Sequence, residues 1–142
     1  MSTRSVKEAI AYIRARIKSG TTFRSGLCKR ESRMAYNVPS DGSGDATTAW
    51  GRTRHRFHGA WIWGAFIWWT GGSEGHGHVA IMRWRKGHIW TVDYPHVGRW
   101  NATTVAELEA AWPKITFAGT SLDIDGVTVR RMPKVIRRWS HP

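Results

Sequence analysis

The apolar pattern changes period near the middle of the chain, and that change limits the fold more than any other feature. In the first part, apolar residues recur at helical spacing, and Val6, Ile10, Ile13 and Ile17 form one stripe. From Trp61 onward they come in short aromatic and β-branched runs punctuated by glycine, the pattern of strands. Helices first and strands afterwards predicts an α+β domain, with N-terminal helices packed on a small, mostly antiparallel sheet.

Local signals place the elements. Ser5 and Glu8 form a capping box and Gly20 a stop, which predicts a helix over residues 6–18 with Lys7, Arg14 and Lys18 on its outer face. A second helical stretch, residues 27–36, follows Ser25 and Gly26 and is stopped by Asn37 and Pro39. Residues 41–44 read as loop, Asp45 caps a short helix through Trp50, and residues 51–59 are basic and irregular. Strands are expected over 61–69, 78–84 and 88–93, the last two joined by a hairpin at Arg85, Lys86 and Gly87. Thr104 and Glu107 open another helix that Pro113 ends, and short strands follow over 115–118 and 127–129. Residues from about 130 form a basic tail without an acid. With 142 residues, no repeat and no break in composition, the chain reads as one domain over 1–142.

Composition narrows the partners. Lys and Arg number 22 against 10 acids, a net charge of +12, which suits nucleic acid, an anionic cell-wall polymer, an acidic protein or a membrane face. No apolar run approaches the ~18 residues of a membrane span, and the charged N-terminus lacks a secretory-signal pattern. Cys28 is the sole cysteine, so an internal disulfide framework and a Cys-rich zinc finger are both excluded. Ten residues are Trp. Most are expected in the core or on the sheet, with Trp50, Trp68 and Trp69 as candidates for a groove where flat rings stack on sugar or peptide. The run Arg83, Trp84, Arg85, Lys86 interleaves cations with an indole, which suits single-stranded nucleic acid.

The chemistry candidates start from Cys28, placed near the first turn of the second helix. Unpaired amides and the positive dipole end favour thiolate there, and Lys29 and Arg30 add charge, so a lowered thiol pKa is expected. The competing reading is a buried, inert thiol. A cysteine nucleophile needs a base, and the base an orienter. Among His55, His58, His76, His78, His88 and His96, His78 heads a strand whose successor ends in Asp93. If hairpin partners sum to 171, His78 and Asp93 oppose each other on one face; a bulge at Gly87 would shift the sum and separate them. Alone, the pair also reads as an edge histidine and a turn aspartate. A metal site built from His76 and His78 with His88, His96, Glu74 or Asp93 is a weaker alternative, because bare histidine spacing is common.

Gly26-Leu27-Cys28, the run from Gly64 to Trp69, Gly77-His78-Val79-Ala80-Ile81, Trp90-Thr91-Val92-Asp93 and the segment Leu122 to Val127 together resemble the ordered motifs of papain-like cell-wall cysteine hydrolases of the NlpC and CHAP type. The form is similar to that in actinobacteria and phage lysins, and the likeness runs from about residue 20 to 130. The resemblance implies a papain-like domain with Cys28 as nucleophile, His78 as base and Asp93 as orienter. It implies cleavage of peptide or amide bonds in bacterial peptidoglycan, without metal or cofactor, by a phage-encoded lysin or virion-associated protein. Such a protein acts from a virion, or from the host cytoplasm before release to the wall, with peptidoglycan and other virion proteins as partners. The chain departs from the family at Phe23 and Arg24, where a tyrosine often precedes the nucleophile, and at residues 59–63, which are usually proline-rich. The alternative is a basic virion structural or binding protein on the same fold with weak or no catalysis. A nucleic-acid-binding module is the third reading.

Overall fold

A computed structural model of the chain describes residues 2–142. Three helices lead: α1 (Val6–Ser19), α2 (Cys28–Ala35) and α3 (Ala46–Gly51). Ser5 caps α1 as a full capping box with Glu8, and Gly20 closes it in the left-handed region. Asp45 caps α3 through the Thr48 amide.

The strands are β1 (Arg56–Phe57), β2 (Phe66–Gly71), β3 (His78–Met82), β4 (His88–Val92), β5 (Trp100–Thr104) and β6 (Ile115–Ser121), with α4 (Val105–Ala111) between the last two. They form one antiparallel sheet in the order β1-β6-β2-β3-β4-β5. A small hairpin, β7 (Asp123–Ile124) with β8 (Val127–Thr128), completes the α+β fold.

Strand alternation separates two apolar layers. Phe66, Trp68, Val79, Ile81 and Trp90 face α1 and α2 in one cluster that includes Cys28. Ile67, Trp69, Ala80, Met82 and Ile89 pack on the other side with Leu108 of α4. Trp61, Trp68, Trp69 and Trp100 are at most 2% exposed. At roughly 200 Å² per ring and ~25 cal/mol per Å², each contributes about 5 kcal/mol of burial.

Several boundaries differ from the sequence expectation. The strand expected over 61–69 starts only at Phe66, because residues 61–65 form a turn. Gly64 sits there at φ 85, so close that an added Cβ would lie 2.6 Å from Val6 and 2.7 Å from the Tyr36 hydroxyl. β5, which no pattern marked, pairs along the whole of β4. The basic tail is strapped to the second layer. Trp139 packs edge-on against Trp61 at 4.9 Å, and His141 stacks on Phe117 at 4.3 Å while bonding Glu109.

Candidate functional site

A cavity of about 600 Å³ opens where the start of α2 meets the start of β3. Cys28, His78 and Asp93 all line it, as do Trp112 and the loop from Gly71 to Gly77. Three segments distant in sequence therefore bring the candidate residues to one depression.

Cys28 is the first residue of α2 and is 7% exposed. The expectation of a lowered thiol pKa is corrected. Burial pushes it up to about 11, and the Asp93 carboxylate adds to the rise. The backbone amides of Val79, Lys29 and Cys28 near the sulfur oppose the shift, but desolvation outweighs them. Nor do the neighbouring cations help. Lys29 is buried and pairs with Asp125 at 2.8 Å, and Arg30 pairs with Glu31 at 2.9 Å.

His78 is 3% exposed. Its ring sits on the α4 side of the sheet, 4.9 Å from Trp112 and 5.9 Å from Trp69. Cys28 belongs to the cluster on the opposite side. The two line the same cavity, yet no hydrogen bond between them forms in this conformation. Burial drops the imidazole pKa to about 3, so the ring is neutral.

The orienter differs from the one expected. The β3–β4 register pairs Ile81 with Trp90 and Met82 with Ile89, so partners do sum to 171. The ladder, however, ends before Asp93, which adopts φ 70 and turns out of the strand. Its carboxylate accepts from the amides of Gly26 and Gly98, each at 2.8 Å, and not from His78. The partner of His78 Nε2 is Thr91 Oγ1 at 2.6 Å. Thr91 was visible in the sequence as the same-face residue two before Asp93, but a hydroxyl in a strand carries no catalytic signal. Asp93 instead fixes the approach to α2 through Gly26, and with it the position of Cys28.

The Trp candidates are also corrected. Trp68 and Trp69 are fully buried, donating their Nε1–H to Ser121 and Glu109, so neither offers a face for stacking. Trp50 carries the Arg56 guanidinium 3.8 Å above its ring and lies outside the cavity wall. Trp112, which closes α4, is the indole that does line the cavity. Of the weaker metal set, His76 faces only Glu74 at 3.5 Å, both largely exposed. Among the described residues no group of three or more His, Cys, Asp or Glu side chains is arranged to hold a metal ion, and no helix is long and apolar enough to cross a membrane. No protein-family model, curated protein or solved structure matches this chain.

Proposed function

We propose that the chain is a cysteine hydrolase of peptide or amide bonds in bacterial peptidoglycan, phage-encoded, on a papain-like domain of the NlpC and CHAP type. One observation carries the reading: a helix-initial cysteine shares a cavity with a strand-initial histidine. The order of elements, with the cysteine helix ahead of an antiparallel meander bearing the histidine, supports the same reading.

In the proposed chemistry the Cys28 proton passes to His78 Nδ1, and the sulfur attacks the scissile carbonyl carbon. The uncapped amides at the start of α2 stabilise the negative charge that develops nearby. His78 returns the proton to the leaving amine, and water then hydrolyses the thioester. Thr91 holds Nε2 and keeps the ring in orientation. Water or substrate entering the cavity has to relieve the burial that keeps both groups neutral.

That neutral resting pair, with no hydrogen bond between thiol and imidazole, specifically favours a second reading: a basic virion structural or binding protein on the same fold with weak or no catalysis. Zymography on bacterial cell walls separates the two. Clearing by the wild type that is lost in Cys28→Ala and in His78→Ala supports the hydrolase. Wall binding without clearing, unchanged in Cys28→Ala, supports the second reading and removes the first.

A further inference from the structure

A second depression, of about 570 Å³, runs between α1 and the β3–β4 hairpin, away from the Cys28 cavity. Lys7 and Arg14 of α1 stand on one bank, and Arg83 and Arg85 of the hairpin on the other. No acidic residue lines it, and none of these four cations forms an ion pair among the described residues. The crowding is felt: burial, and then the charge of Arg14, hold Arg83 below the usual guanidinium value. Four uncompensated cations at one groove favour an anion there.

The groove is also aromatic. Arg83 lies 4.5 Å and Arg14 5.7 Å from the ring centre of Trp90. Trp84 stands edge-on to Trp63 at 6.2 Å and is covered by Arg137 at 4.7 Å, yet remains 66% exposed. An indole so exposed, between cations, is a stacking surface for a flat ring. A polyol-phosphate wall polymer would use the charges but has no ring to lay on Trp84. A nucleic acid strand supplies both phosphate and an unpaired base at each step.

We propose that the groove between α1 and the β3–β4 hairpin binds single-stranded nucleic acid, with Lys7, Arg14, Arg83 and Arg85 on the phosphates and Trp84 under a base. Duplex is disfavoured because its bases are already stacked and leave Trp84 without a partner. The site is independent of the hydrolase reading, since no residue of the Cys28 cavity takes part in it.

The test is fluorescence anisotropy of the full chain with a labelled oligothymidylate of about 12 nucleotides, within the usual site range of ~4–16, across a salt series. Trp84→Ala should weaken binding about ten-fold, the loss of one stacked base. The triple variant Lys7→Gln, Arg14→Gln, Arg85→Gln should flatten the slope of log affinity against log salt by about 2, three phosphate contacts at ~0.7 each. All four positions are exposed, so circular dichroism should stay that of the wild type. A control with the same charge loss, Arg24→Gln, Arg54→Gln, Arg99→Gln, lies outside the groove and should leave the slope unchanged. Equal loss in groove and control variants would overturn the proposal in favour of diffuse charge. Polyglycerol phosphate competing as well as the oligonucleotide, with Trp84→Ala neutral, would assign the groove to a wall polymer instead. Absence of binding at low salt would remove it.

Discussion

The Nε2 atom of His78 lies 2.6 Å from the Thr91 hydroxyl on the neighbouring strand, and that hydroxyl is 3.2 Å from the Val92 carbonyl. A hydroxyl has one hydrogen. With it directed to Val92, the oxygen accepts from His78, so the ring carries its proton on Nε2 and offers Nδ1 as the basic nitrogen. The expected tautomer is therefore Nε2–H, read from the ring ¹⁵N shifts of His78. Thr91→Val should release the ring to a mixture of tautomers and cost about 1–3 kcal/mol, the penalty of an unsatisfied buried donor. An Nδ1–H ring in the wild type would reverse the assignment and remove Nδ1 as base.

Burial of that ring makes stability fall in acid. Folded His78 stays neutral down to about 3, while the unfolded chain takes up its proton below the ordinary value of 6.5. Between those limits the unfolded state binds more protons, so stability rises with pH and is lost as pH drops. One such group contributes at most about 1.4 kcal/mol per pH unit. Urea midpoints between about pH 4.5 and 6.5 should fall toward acid in the wild type and stay flatter in His78→Gln. Trp112→Ala, which lets water reach the ring, should raise the His78 pKa and soften the same limb. Identical pH profiles for wild type and His78→Gln would contradict the burial of His78.

Cys28 should be slow to alkylate in the folded protein. Its thiol is pushed up to about 11, first by burial, with Asp93 adding a smaller rise. Iodoacetamide reaction should climb with pH well beyond the ~8.5 of a free cysteine. Asp93→Asn should bring the apparent pKa down modestly while leaving the His78 tautomer untouched, because Asp93 bonds Gly26 and Gly98. An apparent pKa below the free value in the resting protein would refute the buried thiol. A change of tautomer in Asp93→Asn would restore Asp93 as the orienter of His78.

The capped helices α1, α3 and α4 and the β3–β4 hairpin were legible because each rests on local chemistry: Ser5 with Glu8, Asp45, Thr104 with Glu107, and a short basic turn, while the register between two possible sums was decided only by the structure. What failed depended on distance. The left-handed turn at Asp93 carries its carboxylate to the Gly26 amide, a contact across 67 residues of sequence that leaves no local mark. A helix start favours thiolate only where water or cations offset desolvation, and the packing that buries Cys28 and ties Lys29 to Asp125 is tertiary. Trp68 and Trp69 read equally well as core or as groove, and the sheet, covered on both faces, decides for core. β5 was missed because Asn101, Ala102 and two threonines lack an apolar alternation, and pairing with β4 supplies what the side chains do not.

Gly77 governs how His78 enters the site. It lies at φ +70 immediately before β3, and an added Cβ would meet the Trp69 carbonyl oxygen at 2.5 Å and Thr47 Oγ1 at 2.6 Å. The Trp69 carbonyl is backbone of a central strand and has no room to retreat. Gly77 also donates its amide to Gly71 at 2.9 Å, closing the loop that lines the cavity. Gly75, two residues earlier at φ +76, has nothing within 4 Å of the same added atom. Both positions carry the left-handed cost of about 1–2 kcal/mol for a residue with a Cβ, but only Gly77 adds a collision. Gly75→Ala should therefore lose about 1 kcal/mol in chemical denaturation and leave the His78 ring shifts in place. Gly77→Ala should lose about 3 kcal/mol or more and displace those shifts, because β3 can relieve the contact only by moving its first residue. Equal losses in the two variants, with His78 unmoved in both, would mean that the close approach of Gly77 to Trp69 does not set the position of the histidine.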